Sequence, residues 1–158
     1  MPHEPRPSGH VHLPADGLIT LSRWPDPVVE SVGHPVRSEY VERFWLGVLG
    51  PTATWLLRRC SDEVLLSGTP VRVDLAVLAA SLGLVHHAGR HNPFARGFDR
   101  CVMFGLMRHT GDPHGATLAV RTVVPPLAAR QVARLPHELQ VAHSDYLHSR
   151  TGVISVQG

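Results

Sequence analysis

Lysine is absent from this sequence, and the charge balance is almost even. All fifteen basic residues are arginine, thirteen residues are Asp or Glu, and the formal net charge is +2. Arginine without lysine, together with abundant alanine, glycine and proline, is the pattern that GC-rich coding produces, so the arginine count alone indicates no function. A net charge this small implies no anionic partner unless basic residues cluster locally.

Cysteine is scarce, and long apolar runs are missing. The two cysteines, Cys60 and Cys101, fall on apolar helical stripes, which suits small buried side chains better than a disulfide or a thiolate metal site. The opening stretch, MPHEPRPSGHVH, lacks the apolar core of a secretory signal, and no run approaches the roughly 18 apolar residues of a membrane span. We therefore expect a soluble cytoplasmic protein with no membrane partner.

The sequence also lacks the common motifs of catalysis and cofactor binding. It has no Gly-rich phosphate loop after a strand, no Gly-x-Ser-x-Gly elbow, no His-Glu-x-x-His motif and no plausible pair of carboxylates. Asp74, which precedes an apolar helical run, is better explained as a helix cap than as an acid. We therefore expect a protein that is not an enzyme and that needs no cofactor.

Histidine, by contrast, is frequent, with twelve in the chain. His86, His87 and His91 lie close together in sequence, and His109 or His114 could join them in space. Zinc requires three or four ligands in tetrahedral geometry, but this spacing matches no zinc finger, and chance clusters are expected at such a frequency. We therefore expect no metal site, and leave open whether the loop 86–91 binds metal or responds to pH.

Length and patterning predict one domain with an extension at each end. The 158 residues suffice for one sizeable core but are short for two. Residues 1–37 are predicted to be a flexible or irregular N-terminal arm, in which GLITLSRW is a possible short strand. Residues 38–123 carry the regular patterns of the domain, and residues 124–158 are predicted to be a C-terminal helical extension.

Apolar periodicity predicts a central helix followed by a shorter one. The central helix carries a continuous apolar stripe, with Arg58 and Arg59 outside it. A short strand in TPVRVD leads into Asp74 as the cap of the next helix, which Gly83 ends. The stripe of the central helix consists of Ala53, Leu56, Leu57, Cys60 and Val64.

The segment FARGFDRCVMFGLM, residues 94–107, predicts an amphipathic helix that begins at Asn92-Pro93. One face of this helix is apolar and the opposite face carries charge. After it, LMRH and ATLAVRTVV, separated by TGDPHG, predict a two-stranded hairpin. The apolar face contains Phe94, Phe98, Cys101, Val102 and Gly105, and the opposite face contains Arg96, Asp99, Arg100, Met103 and Met107.

The sequence resembles the winged helix-turn-helix regulators of the MarR type in its predicted elements and in two motifs. The predicted order is helix, short strand, helix, helix, hairpin and helix. LAASLGL places Ala79 and Gly83 at the spacing of that family's second helix, and FARGFDRCVMFGLM follows the register of its third. The resemblance covers about residues 51–123. It implies an α+β, mostly helical fold, in which a winged helix-turn-helix domain carries an N-terminal arm and extra C-terminal helices. The segment 38–59 is also similar to actinobacterial proteins, which implies no activity.

The family resemblance implies a DNA-binding transcriptional regulator that acts as a homodimer on double-stranded DNA. The recognition helix would cover about residues 93–105, and the wing about residues 106–122. The resemblance implies that Arg96 and Arg100 contact the major groove. It also implies that Arg90 and Asn92 contact phosphates at the start of the helix, and that Arg108 and His114 contact DNA near the wing.

An alternative stays open, in which the same fold is a protein–protein interaction module that does not bind DNA. The weak net charge, the outward Met103 and Met107, and the long connection LVHHAGRHN between the two helices of the motif all favour it. Asp99 on the charged face also opposes contact with phosphate. DNA binding requires a continuous positive stripe, whereas a protein partner requires a mixed or apolar face.

Overall fold

The computed structural model describes residues 11, 13–88, 91–110 and 117–155, which form an α+β fold in which helices predominate. None of the helices in these ranges is long and apolar enough to span a membrane. The elements in chain order are β1 (Leu18–Arg23), α1 (Pro27–Val32), β2 (His34–Pro35), a π-helical segment (Val41–Trp45) that continues into α2 (Leu46–Leu49), α3 (Pro51–Ser67), β3 (Val71–Asp74), α4 (Leu75–Ser81), α5 (Pro93–Met103), β4 (Met107–His109), β5 (Thr117–Val120), β6 (Val123–Val124), α6 (Ala129–Val132) and α7 (His137–Ser155).

A four-stranded sheet forms one layer of the fold, with the strand order β3-β1-β5-β4. β1 runs antiparallel to β3 and parallel to β5, and β4 pairs antiparallel with β5 as the predicted hairpin. The strand predicted in GLITLSRW is therefore present, but it is a central strand of the sheet rather than part of an irregular arm. Its alternating sequence buries Ile19 and Leu21 on one face, while backbone pairing with β3 and β5 holds the strand between its two neighbours.

The central helix α3 packs against several other elements of the fold. It contacts the sheet and α5, and the predicted stripe from Ala53 to Val64 is buried. Arg58, which was predicted to lie outside the stripe, is also buried. Its guanidinium donates to the carbonyl oxygens of Val36 and Ser38 and to the Glu42 carboxylate, so this long side chain has polar partners inside the fold.

Local signals determine where the short helix α4 begins and ends. The Asp74 carboxylate accepts the N–H of Val77 at 3.1 Å, which confirms the predicted cap. Leu75, Leu78 and Ala79 face the core. Gly83 has a φ of +71°, a left-handed conformation that suits glycine and that ends the helix as predicted.

Helices also occupy the C-terminal part of the chain, where the sequence predicts a helical extension. α6 is a single turn and α7 is long, and α7 packs against the π-helical segment. The contact is aromatic: the rings of Tyr146 and His143 on α7 lie against those of Tyr40 and Phe44. The extension is thus joined to the domain through a buried cluster.

Candidate functional site

The helix α5 begins with the predicted cap. The side chain of Asn92 accepts the N–H of Ala95 at 3.0 Å, and Asn92 is only 8% exposed. Asn92 therefore stabilises the start of the helix, and its oxygen is used within the fold rather than presented to a ligand. Arg90, the other residue predicted to contact phosphate here, lies outside the part of the chain that the structure describes.

The buried face of α5 has the predicted register. Phe94, Phe98 and Cys101 are fully buried, and burial raises the pKa of the Cys101 thiol to about 12. Gly97 allows a close approach to α3, because a Cβ atom at this position would lie 3.2 Å from Cδ2 of Leu56. The tight contact with α3 fixes which side of α5 remains outside the core.

The outer face of α5 carries one arginine that is available to a ligand. Arg96 is exposed, and its guanidinium forms neither a hydrogen bond nor an ion pair with any described residue. Asp99, the carboxylate on this face, accepts the backbone N–H of Val11 at 2.5 Å, and this contact holds the chain at Val11 against the helix. Met103 is 64% exposed, as predicted.

The prediction that Met107 is exposed is wrong. α5 ends at Met103, and Gly105 with a φ of +70° turns the chain, so Met107 is the first residue of β4 and is buried. The helical periodicity that was extended to residue 107 no longer applies beyond the glycine. The change from helix to hairpin at Gly105-Leu106 is itself as predicted.

Arg100 lies on the outer side of α5, but its polar atoms bind the protein. Its Nε donates to the carbonyl oxygen of Leu49 and its Nη2 to that of Val48, both at 2.7 Å. The guanidinium also lies 5.6 Å from the centre of the Phe104 ring. These contacts satisfy carbonyl groups at the end of α2 and hold Arg100 in one orientation, while no carboxylate of the described residues pairs with its positive charge.

The base of the hairpin adds a second exposed arginine. Arg108 on β4 is exposed, and its guanidinium stacks on Trp24 at 4.4 Å from the ring centre, while Arg121 stacks on the same ring at 3.7 Å. Arg121 also pairs with Asp26, and this partner lowers the pKa of the Asp26 carboxyl. His114, predicted at the wing, lies outside the described ranges.

Two arginines that sequence reasoning missed lie beside Arg100. Arg130 and Arg134 line a cavity of about 760 Å³ together with Arg100, and no Asp or Glu is among the described residues that line it. We call this the α5–α6 cavity. Arg130 lies in α6, whereas Arg134 lies beyond its last residue, Val132. The proximity of both arginines to Arg100 depends on tertiary packing, which sequence patterns do not show.

The histidine-rich connection between α4 and α5 does not assemble a metal centre in the described residues. No group of three or more His, Cys, Asp or Glu side chains is arranged there to hold an ion. The ring of His86 packs edge-on against Phe94, with 5.7 Å between the ring centres. His86 thus contributes to the packing at the start of α5.

Comparisons with protein-family models, with curated proteins and with solved structures give no match for this chain.

Proposed function

We propose that this protein is a DNA-binding transcriptional regulator of the winged helix-turn-helix type, with α5 as the recognition helix and the β4–β5 hairpin as the base of the wing. The observation that carries the proposal is the order α3, β3, α4, α5, β4, β5, in which an amphipathic helix with exposed arginines directly precedes an antiparallel hairpin. That order is the one that a winged helix-turn-helix domain requires.

The chemistry of the exposed surface supports this assignment. The Arg96 guanidinium has all its donors available for guanine edges or phosphates, and Arg108 offers a guanidinium from the hairpin. Arg100 adds positive charge one turn along α5, and Asp99 is engaged by the chain at Val11. The outer face of α5 thus offers one available guanidinium, that of Arg96, and the hairpin offers a second, that of Arg108. Two copies of the chain would place two such helices on successive turns of a duplex.

The proposal is tested by fluorescence anisotropy with a labelled duplex from upstream of the protein's own gene and with a scrambled duplex of the same length. Titrations at about 50 and 200 mM salt separate phosphate contacts from base readout, because phosphate contacts release counterions. We expect tight, salt-dependent binding to the upstream duplex and weaker binding to the scrambled one. Absence of binding to both duplexes at low salt would contradict the proposal.

A protein–protein interaction module is the second candidate, and a specific surface favours it. The groove between α3 and α4 contains Trp55, which is 52% exposed, and continues past Ser81 to Val77, which is 67% exposed. Exposed Trp in such a setting is typical of interface anchors. If neither duplex binds, Trp55→Ala and Val77→Ser variants in a partner search would be the next experiment.

A further inference from the structure

The groove between α3 and α4 has an apolar wall at the end that holds Trp55. Leu82 and Leu84, in the turn that follows α4, line this end together with Trp55. The space beside these side chains measures about 360 Å³. More than half of Trp55 is exposed, although its indole is a large apolar group that gains from being covered. This end of the groove can therefore cover a bulky apolar side chain of a partner.

The charge at the Trp55 end of the groove comes from Arg59, one turn further along α3. No Asp or Glu is among the described residues that line this end. The Arg59 guanidinium is exposed and forms no hydrogen bond or ion pair with a described residue. The neighbouring Arg58 differs, because it folds inward and pairs with Glu42. Arg59 thus offers its charge to a carboxylate from outside the fold.

The groove continues from this end into a second hollow of about 260 Å³. Val77, which is more than half exposed, gives the second hollow an apolar rim, and Arg72 and Glu63 line it with charges of both signs. Arg59 and Ser81 line both hollows, which therefore form one open trough. An open trough with an apolar contact at each end suits a segment of protein chain better than an enclosed small molecule.

We propose that the groove between α3 and α4 binds a segment of another protein in which a bulky apolar side chain and an Asp or Glu lie within one helical turn of each other. The apolar side chain packs on Trp55, Leu82 and Leu84, and the carboxylate accepts charge-assisted hydrogen bonds from Arg59. This inference rests on the second candidate function, for which it names the chemistry of the partner, and it is compatible with DNA binding by α5. Its tests use no DNA, so their failure is separate from failure of the duplex titration.

Selection of phage-displayed random dodecapeptides on the full chain tests the chemistry of the partner. We expect the enriched peptides to share a bulky apolar residue with an Asp or Glu nearby, because the Trp55 end of the groove combines apolar side chains with one unpaired cation. Enrichment of peptides with Arg or Lys beside the apolar residue would overturn the proposal. Absence of any enrichment would overturn it as well.

Fluorescence anisotropy of a labelled enriched peptide tests the contact with Arg59. Replacing the acidic residue of the peptide by its amide is expected to weaken binding about fivefold. Arg59→Gln should weaken binding of the acidic peptide by a similar factor and leave the affinity of the amide peptide unchanged, since a direct contact makes the two changes non-additive. Arg134→Gln removes a charge from an exposed position outside the groove and should change neither affinity. Additive losses for Arg59→Gln and the amide peptide would overturn the proposed contact.

The apolar anchor is tested by a second pair of variants. Trp55→Ala is expected to weaken peptide binding at least about tenfold. Leu65→Ala changes an exposed apolar residue of the same helix that does not line the groove, and it is expected to leave the affinity unchanged. Circular dichroism of each variant checks that the helices are intact. Wild-type affinity in a folded Trp55→Ala variant would overturn the proposal.

The mass of the chain in solution distinguishes another protein from a second copy of this chain as the partner. Size-exclusion chromatography with light scattering gives this mass for the wild type and for Trp55→Ala. We expect the same mass for both, which leaves the groove free for another protein. A wild-type dimer that Trp55→Ala converts to a monomer would show that a second copy covers the groove, and it would overturn the proposal.

Discussion

The phenol oxygen of Tyr40 lies 2.8 Å from Nε2 of His143 and also accepts the backbone N–H of Leu127 at 2.9 Å. Because the oxygen already accepts from Leu127, both groups are satisfied when the Tyr40 O–H donates to a neutral His143 ring. The other face of Tyr40 stacks on His34, with ring centres 3.7 Å apart. This cluster connects β2, the segment before α6 and the long helix α7.

Acid is expected to destabilise the protein through this cluster. Burial lowers the pKa of His34 and that of His143, and the Arg150 guanidinium, 3.3 Å from Nδ1 of His34, further opposes protonation of His34. The unfolded chain binds protons near the ordinary histidine pKa of about 6.5, whereas the folded chain binds them only at lower pH. The stabilising contribution is therefore complete above that pH and declines as the pH falls below it.

Urea unfolding at about pH 8, 6.5 and 5.5 measures this decline as a fall in the free energy of unfolding. The double variant His34→Gln/His143→Gln should show a shallower dependence on pH. His137→Gln/His148→Gln, which changes two exposed histidines of α7, should keep the wild-type slope. If the two double variants have the same slope, the buried cluster is not the origin of the pH dependence.

Removing one oxygen atom tests the same connection at neutral pH. Tyr40→Phe leaves the Leu127 N–H and Nε2 of His143 without their partner inside the fold, so we expect a loss of about 1–3 kcal/mol in the free energy of unfolding. Tyr146→Phe is the matched control, since among the described residues the Tyr146 hydroxyl has one hydrogen-bond partner, the exposed Arg150. Equal losses in denaturant unfolding of the two variants would contradict this account.

Sequence patterns located α3, α4 and α5 correctly because their signals are local. A helical stripe and a capping residue such as Asp74 or Asn92 act within a few positions of the chain. The central position of β1 could not be predicted, because its partners β3 and β5 come from distant segments. The same applies to Arg100, whose carbonyl partner in α2 lies 51 positions earlier. Periodicity identifies an exposed face, but it does not show which exposed side chains fold back onto the protein.

Adjacent arginines on α3 are expected to differ sharply in their effect on stability. Arg58 is 6% exposed and donates to two backbone carbonyls and to Glu42, whereas Arg59 is exposed. Arg58→Ala should therefore cost about 1.5–3 kcal/mol, while Arg59→Ala should change stability by less than about 0.5 kcal/mol. Urea unfolding of the two variants checks the contrast, and similar midpoints would show that the Arg58 contacts contribute nothing measurable.

The register of α5 can be tested with two substitutions on opposite faces. Phe98 is fully buried, so Phe98→Ala is expected to lower the free energy of unfolding by about 3–5 kcal/mol through lost contacts and a cavity. Met103→Ala, at an exposed position of the same helix, should cost no more than about 0.5 kcal/mol. An unchanged melting temperature for Phe98→Ala would contradict the register.

Substitutions of the two arginines on the outer side of α5 are both expected to weaken DNA binding, but only one of them is expected to destabilise the fold. The Arg96 side chain has no partner within the described chain, so Arg96→Ala should weaken binding to the upstream duplex without changing the free energy of unfolding. A loss of about 1–3 kcal/mol in binding would indicate a bidentate contact with guanine. Arg100→Ala should weaken binding and also destabilise the fold, because the carbonyl groups of Val48 and Leu49 lose their donor.

Anisotropy titrations and urea unfolding of each variant together distinguish these effects. Arg59→Ala is the control for charge, since it removes one positive charge from an exposed position of α3. A single lost phosphate contact lowers the salt slope by about one and weakens all duplexes alike, whereas a lost base contact relaxes the preference for the upstream sequence. If Arg59→Ala weakens binding as much as Arg96→Ala does, α5 is not the recognition helix, because the loss then follows net charge rather than position.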